Sequence, residues 1–187
     1  MHQVRGLPTG DTPEAVIRTL RDQSSRLRTT TAEGDPWLNR QEVLEHIYKH
    51  LEADPEIRGV LGYSEGASVA ASLLLDEAFR VQTGTRAHRQ LACGIFFTGW
   101  PPMGPNGKGF VLRDEDADDV EIDLPTLHVT GANDPYKDGA LALYNVCDPA
   151  TAHLFDTGKG HTLPRSGPVL TELVDAVEQM LEEAGVN

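Results

Sequence analysis

Apolar residues recur three and four positions apart in three stretches of the chain, the spacing that places them on one face of an α-helix. These stretches run from about Arg40 to Ala53, from Ser64 to about Phe79 and from about Gly167 to Glu183. We therefore predict three amphipathic helices, and a further helix is expected to begin at Asp11, which can cap it. The inward-facing positions are expected to be Val43, Leu44, Ile47 and Leu51 in the first stretch, Val69, Leu73 and Leu74 in the second, and Leu173 and Val177 with Val169 or Leu170 and Met180 or Leu181 in the last.

Short apolar runs lie between these helices and predict β-strands. They cover residues 57–63, 93–98, 124–130 and 151–155. The run over 93–98 has no clean alternation of apolar and polar residues, as expected when both faces of a strand are covered. Because strands alternate with helices along the chain, we predict βαβ units and a mostly parallel α/β sheet flanked by helices.

The length and composition of the chain narrow its possible functions. The 187 residues suggest one domain over residues 1–187, and a net charge of −13 argues against nucleic-acid binding, because phosphate contacts need clustered Lys and Arg. No apolar stretch is long enough for a membrane span, and the N-terminus lacks the apolar region of a secretory signal. Cys93 and Cys147 are too few for a disulfide framework, so we expect a cytoplasmic protein.

Two features have only a superficial likeness to metal sites. The acidic run from Asp114 to Asp119 is typical of a solvated loop. His46 and His50 have the i, i+4 spacing of the zinc ligands in HExxH, but Ile47 stands where that motif has Glu. We therefore expect neither a metal ion nor a cofactor.

The sequence Gly62-Tyr63-Ser64-Glu65-Gly66 matches the G-x-S-x-G nucleophile elbow, in which a serine sits on a sharp turn between a strand and a helix. Here the motif follows a predicted strand and opens a predicted helix. Side chains in place of Gly62 and Gly66 are expected to collide with the neighbouring strand and helix. We predict that Ser64 is a nucleophile and that the backbone amide of Glu65 points to the oxyanion position. The alternative is a tight turn with a surface serine.

The elbow fold supplies the acid and then the base after the nucleophile in chain order. Asp134 follows the strand over 124–130 and is therefore expected at the carboxyl edge of the sheet, where ligands bind in such folds. Asp138 is a nearby substitute, whereas Asp123 precedes the strand and falls at the opposite edge. We predict that Asp134 orients the base.

His161 lies in a glycine-rich loop, residues 158–164, between the last predicted strand and the last predicted helix. An imidazole in that loop can reach both Ser64 and Asp134. His128 and His153 fall inside predicted strands and are expected to be packing residues. We predict that His161 is the base, the alternative being an exposed loop histidine.

An apolar wall is expected beside these residues. Trp100 begins the run Trp-Pro-Pro-Met after the strand over 93–98, and Phe97 and Trp100 offer apolar surface to a substrate. Tyr63, next to the nucleophile, is the third predicted pocket residue. The alternative is that these side chains serve only as core and loop residues.

Four segments resemble the fungal serine hydrolase family often called FSH, within the α/β-hydrolase superfamily. They span residues 59–67, 94–102, 124–135 and 158–164. The resemblance extends from about residue 40 to the end and implies the same three roles for Ser64, Asp134 and His161. Members of this family cleave carboxylic esters or thioesters, and several are encoded beside polyketide synthases, where they release or trim the acyl product. The resemblance therefore implies a small ester or acyl-thioester substrate, and an acyl carrier protein or polyketide synthase as a partner.

The chain departs from this family at its N-terminus. Such proteins usually begin with a strand and a Leu-His-Gly type loop that supplies the second oxyanion amide, and no His-Gly dipeptide occurs here. Ser64 also comes roughly forty residues earlier than a full first βα unit would place it. We therefore expect an α/β-hydrolase-like fold shortened at its N-terminus, with an uncovered sheet edge beside the strand that leads to Ser64. The alternative to an esterase or thioesterase is a catalytically weak protein that binds an acyl chain or a partner synthase.

Overall fold

Eight helices and strands follow one another in the computed structural model, which describes residues 40–105, 109–113 and 121–186. In chain order they are α1 (Arg40–Ala53), β1 (Gly59–Tyr63), α2 (Glu65–Gln82), β2 (Cys93–Phe97), β3 (Thr126–Thr130), α3 (Lys137–Tyr144), β4 (Ala152–Asp156) and α4 (Pro168–Glu183). The helix predicted at Asp11 and the acidic run from Asp114 to Asp119 lie outside the described residues.

The four strands form one sheet in the order β1-β2-β3-β4, and all three pairings are parallel. The last residues of the strands are level with one another, since Tyr63 pairs with Phe97 and Thr130 pairs with Asp156. The predicted α/β fold with a mostly parallel sheet flanked by helices is therefore confirmed. Because parallel strands end at the same edge, the loops after β1, β3 and β4 meet there.

Helices cover both faces of this sheet. Alternate residues of a strand point to opposite faces, and in β2 Phe96 packs into a core with α1, α2 and α3, whereas Ile95 and Phe97 pack into a second core with α4. As expected, β2 lacks alternation of apolar and polar residues because both of its faces are covered. Of the helices that the structure describes, none is long and apolar enough to cross a membrane.

The predicted helix faces agree with the observed burial at most positions. Buried in the two cores are Leu44, Leu51, Leu73, Leu74, Leu173 and Met180. Val43 is instead exposed, and Tyr48 occupies the buried face of α1, where its hydroxyl donates to an Asp76 carboxylate oxygen at 3.1 Å. The short helix α3 was not predicted.

The strand that leads to Ser64 lies at one edge of the described sheet. β1 pairs with β2 on one side, and no described strand pairs with its other side. Leu61, in the middle of β1, is exposed. Within the described ranges β1 is therefore an edge strand, and the expectation that this edge is uncovered stays a prediction.

Candidate active site

Ser64 lies on the sharp turn between β1 and α2. Its backbone angles, φ 54° and ψ −120°, fall in a region that glycine adopts readily and other residues adopt at a cost. The turn is fixed on both sides, because the Ser64 N–H donates to the Phe97 carbonyl at 2.8 Å and the Ser64 carbonyl accepts from the Ala67 N–H at 3.0 Å. Ser64 is thus held above the carboxyl edge of the sheet in a strained conformation.

The two glycines of the G-x-S-x-G motif have different roles. A Cβ at Gly62 would lie 2.3 Å from the Gly66 carbonyl oxygen and 2.5 Å from the Ala67 Cα, so only glycine fits there. A Cβ at Gly66 would meet no described atom within 4 Å. The expectation of a collision is therefore right for Gly62 and wrong for Gly66, where the space around a Cβ is open.

The loops after β1, β3 and β4 bring three predicted residues together. His161 Nε2 lies 3.1 Å from Ser64 Oγ, and His161 Nδ1 lies 2.9 Å from Asp134 Oδ2. The Asp134 side chain is fully buried, whereas 24% of the His161 side chain is exposed. An Nδ1–H that donates to the carboxylate leaves Nε2 as the acceptor for the serine hydroxyl. This arrangement can remove a proton from Ser64 and stabilise the imidazolium that results.

The Asp134 carboxylate is fixed by its own loop. Its second oxygen, Oδ1, accepts the Tyr136 N–H at 2.8 Å, and the Asp134 N–H donates to the Gly131 carbonyl at 2.9 Å. Both carboxylate oxygens therefore have a partner. A buried carboxylate with both oxygens engaged has a fixed orientation, which in turn fixes the plane of the imidazole.

The loop that carries Asp134 and the loop that carries His161 contact each other through their backbones. The Asn133 N–H donates to the Lys159 carbonyl at 3.0 Å. Asp156, the last residue of β4, accepts the Ala132 N–H at 2.9 Å and the Gly158 N–H at 2.8 Å on the same oxygen. Asp156 therefore ties the two loops together. Sequence reasoning missed it, although an aspartate two residues before a glycine after a strand is a recognisable turn signal.

The alternative acids and bases lie elsewhere. Asp123 forms an ion pair with Arg89 and precedes β3, at the opposite edge of the sheet. Asp138 lies in the first turn of α3. His153 Nε2 is 2.6 Å from a Glu183 carboxylate oxygen, which links β4 to the end of α4.

His128 is a packing residue. It is buried between the rings of Phe96 and Tyr144, with Nε2 3.0 Å from the Thr126 hydroxyl. Burial without a charged partner lowers the pKa of His128 to about 3. The imidazole is therefore neutral in the folded protein at ordinary pH.

The described residues show no cluster of His, Cys, Asp or Glu suited to a metal ion. His46 and His50 lie on the exposed face of α1 with their Nε2 atoms 3.4 Å apart. They form a solvent-exposed pair and lack a third ligand within the part of the chain that the structure describes.

The residues predicted for the oxyanion position and for the pocket make different contacts in the structure. Glu65 is the first residue of α2, where backbone amides have no partner within the helix. Tyr63 contacts His161, their ring centroids being 5.3 Å apart. Trp100 contacts Tyr136 at a centroid distance of 6.2 Å. Phe97 packs into the core beneath α4, which gives it a packing role.

Besides Asp156, two residues near the site were not predicted from the sequence. The Tyr136 ring lies edge to face with the His161 ring, with centroids 5.2 Å apart. Ser68 Oγ donates to the Trp100 carbonyl at 3.1 Å and accepts the Trp100 N–H at 3.2 Å, which anchors the loop after β2 to α2. Neither contact follows from spacing, because each joins segments that are distant along the chain.

Comparisons with known proteins identify the family of this chain. The family model described as serine hydrolase (FSH1) matches residues 20–173. Esterase FUS5 of Gibberella moniliformis is 34% identical over 121 residues, covering 64% of this chain and 45% of that protein. Esterase FPY3 of Fusarium mangiferae is 30% identical over 151 residues, covering 75% of this chain and 64% of that protein. The chain thus spans about half to two thirds of the length of these curated relatives.

The fold is also similar to that of solved structures. A chain from a structural analysis of two fungal esterases of Rhizomucor miehei aligns with a TM-score of 0.50 at 12% identity. The alignment covers 78% of this chain and 58% of that chain, and it supports the α/β-hydrolase fold. Because the family model matches most of its length, this chain belongs to the serine hydrolase (FSH1) family.

Proposed function

We propose that the chain is a serine esterase in which Ser64 is the nucleophile, His161 the general base and Asp134 the residue that orients His161. The observation that carries this proposal is the pair of short contacts on one imidazole, 3.1 Å to Ser64 Oγ and 2.9 Å to Asp134 Oδ2. Both contacts already have hydrogen-bonding distances, so little rearrangement is needed before proton transfer.

In the first half of the proposed reaction, Ser64 Oγ attacks the ester carbonyl carbon while its proton passes to His161 Nε2. The carbonyl oxygen becomes an oxyanion, which the Glu65 amide at the start of α2 stabilises. When the tetrahedral intermediate collapses, the carbon–oxygen bond to the alcohol breaks. The alcohol takes the proton from His161, which leaves an acyl group on Ser64.

In the second half, water attacks the acyl-serine. His161 Nε2 accepts a proton from the water, and the oxyanion forms again beside Glu65. Collapse releases the carboxylic acid, and Ser64 recovers its proton from His161. The Asp134 carboxylate stays ionised throughout and stabilises the imidazolium in both halves.

Exposed apolar side chains beside the three residues favour an apolar acyl group. Tyr63 precedes Ser64 and is 41% exposed, Tyr136 follows Asp134 by two positions and is 37% exposed, and Leu163 follows His161 by two positions and is 40% exposed. Exposed apolar surface collected around one site is typical of ligand binding. We infer that this surface receives the acyl part of the substrate.

A thioester substrate delivered by an acyl carrier protein or polyketide synthase in the cytoplasm is the finer form of the proposal. It rests on the family resemblance, and the same acylation chemistry applies with a thiol as leaving group. Matched substrates test it: a p-nitrophenyl ester and an N-acetylcysteamine thioester with the same acyl chain. A thioester value of kcat/KM equal to or above the ester value would support release of a thioester-bound product.

The main experiment is labelling with a fluorophosphonate probe, followed by turnover of p-nitrophenyl butyrate. The wild-type chain should be labelled and active, and Ser64→Ala should lose both properties while it retains its thermal stability. A chain that is labelled but fails to turn over the ester would favour the alternative, a hydrolase-fold protein that binds acyl groups. A Ser64→Ala variant with most of its activity would contradict the assignment of the nucleophile.

A further inference from the structure

The loop that carries His161 contains little that would hold an imidazole in place. Gly158 has a positive φ of 65°, and neither Gly158 nor Gly160 has a side chain that could pack. The imidazole itself is partly exposed. A fixed imidazole in a glycine-rich loop requires contacts from other elements, and two aromatic rings contact it in addition to its hydrogen bonds with Asp134 and Ser64.

We propose that Tyr63 and Tyr136 are positioning residues that hold the His161 imidazole between them, and we call this pair the tyrosine clamp. The proposal rests on the proposed esterase function, because it explains how the base keeps its geometry. It differs from a pocket role, in which the two side chains would only contact substrate.

Tyr63 holds the base from the side of the nucleophile. Its hydroxyl donates to the His161 carbonyl oxygen at 3.3 Å, and its ring centroid lies 5.3 Å from that of the imidazole at an angle of 43°. Tyr63 ends β1 and directly precedes Ser64. One residue of a rigid strand therefore connects the nucleophile turn to the backbone and to the ring of the base.

Tyr136 holds the base from the side of the acid. Its ring lies at 74° to the imidazole with centroids 5.2 Å apart, an edge-to-face arrangement that is favourable for aromatic pairs. Its backbone N–H donates to Asp134 Oδ1 at 2.8 Å. Tyr136 therefore fixes the orientation of the acid through its backbone and that of the base through its ring.

The Tyr136 ring is supported from behind. It contacts the Trp100 ring at a centroid distance of 6.2 Å. Trp100 is anchored to α2 by the two hydrogen bonds of Ser68. A Cβ at Gly139 would lie 3.1 Å from the indole, so the absence of a side chain there lets α3 pack closely against Trp100. The contacts thus run from α2 and α3 through Trp100 and Tyr136 to His161.

Loss of either ring should reduce the fraction of molecules in which Nε2 points at Ser64. Aromatic pairs of this kind stabilise by an amount that corresponds to roughly 3- to 10-fold in an equilibrium. Ester turnover and probe labelling both need the proton transfer from Ser64, so both should fall by this factor. Substrate affinity should change less.

The test compares Tyr63→Leu and Tyr136→Leu with Tyr63→Phe and Tyr136→Phe. Each Leu variant should lower kcat for p-nitrophenyl butyrate and the second-order rate of fluorophosphonate labelling by about 3- to 10-fold, with KM within about twofold. Tyr136→Phe should lose less kcat and less labelling rate than Tyr136→Leu, because the ring remains. Tyr63→Phe should lie between wild type and Tyr63→Leu, since only the hydroxyl bond is lost.

Phe79→Leu is the matched control. Phe79 is a 37%-exposed aromatic residue near the end of α2, and no ring contact joins it to a described residue of the site. Its substitution should change neither rate. Melting temperatures of all five variants should remain close to that of wild type, which excludes general unfolding as the cause.

A measurement that does not depend on ester turnover completes the test. The proton between His161 Nδ1 and Asp134 should give a low-field NMR signal in the wild-type chain, and this signal should broaden in both Leu variants as the imidazole moves. Sharp signals in the Leu variants, or Leu substitutions that raise KM with kcat unchanged, would overturn the clamp and indicate a pocket role. Failure of the wild-type chain to hydrolyse any ester, with this broadening still present, would overturn the esterase proposal alone.

Discussion

Gly131 lies against Lys159 so closely that a Cβ on Gly131 would stand 2.1 Å from the Lys159 carbonyl oxygen. Gly131 begins the loop that carries Asp134, and Lys159 belongs to the loop that carries His161. The distance between Asp134 and His161 is therefore set by a direct contact between the backbones of their loops. Any side chain at position 131 must push the two loops apart.

Gly131→Ala should consequently separate Asp134 from His161. We expect kcat for p-nitrophenyl butyrate to fall by at least about tenfold, because small displacements of catalytic groups are costly. Stability should fall by about 1–3 kcal/mol through overpacking. Gly104→Ala is the control, since a Cβ there would make only an ordinary contact of 3.5 Å with Val111. Equal kinetics for the two variants would contradict this account of the loops.

Ser64 stores backbone strain that the fold must offset. In this region of φ and ψ, a residue other than glycine lowers the stability of the fold by about 1–3 kcal/mol. Glycine lowers it by about 0.5–1 kcal/mol for a different reason, because it loses more conformational entropy on folding. Ser64→Gly and Ser64→Ala both lack the hydroxyl, so the difference between their stabilities is the strain less the cost of glycine's flexibility. We expect Ser64→Gly to be the more stable variant by about 1 kcal/mol in urea denaturation. A Ser64→Gly variant less stable than Ser64→Ala by about 0.5–1 kcal/mol would show that the turn carries no strain, since only the flexibility of glycine would then separate the two.

Ser64 and His161 should act as one unit in catalysis. Ser64→Ala and His161→Ala should each lower kcat by at least about a thousandfold, and the double variant should lose little more than either single variant. Additive losses in the double variant would mean that the two side chains work independently.

His128 should make the fold less stable in mild acid. Burial lowers its pKa to about 3, whereas an unfolded histidine has its ordinary pKa of 6.5. Between these values the unfolded chain binds a proton that the folded chain does not, so the free energy of unfolding falls as the pH is lowered from about 6.5 towards 3. From pH 7 to pH 5 this one group contributes a loss of about 2 kcal/mol.

Urea denaturation at the two pH values checks the role of His128. The variant His128→Gln cannot take up this proton, so its stability should depend less on pH than that of wild type by about 2 kcal/mol over this interval. The substitution itself lowers stability at both pH values, but only the difference between them matters. Parallel losses in the two proteins would show that another group is responsible.

The pattern of apolar positions was enough to predict the strands and the long helices. Each of these elements is long or strongly apolar, and the termini of α1 fall where the pattern predicted. The helix α3 has only 8 residues and contains Gly139, which weakens any helical signal. It forms because Leu143 is fully buried and Gly139 packs on Trp100. These are tertiary contacts, and no local pattern contains them.

In the candidate site, too, some features could be predicted from the sequence and others depend on tertiary contacts. Ser64, Asp134 and His161 were predicted because each follows a strand, and parallel strands end at one edge. The contacts of Tyr136 and Asp156 depend on how neighbouring loops approach one another, which spacing does not reveal. Gly66 shows the opposite error, since the shared motif suggested a steric role, whereas a Cβ at Gly66 would meet no described atom within 4 Å.

The hydrogen bond between Ser64 and His161 joins residues 97 positions apart. The helices of the chain can form from local contacts. The Ser64–His161 bond, in contrast, exists only after β3 and β4 have been added to β2 and the loops that carry Asp134 and His161 have docked. Formation of such distant contacts is slow compared with helix formation. A refolding chain should therefore regain its helical circular dichroism before its serine becomes reactive, and the rate at which probe labelling returns measures the completion of the tertiary structure.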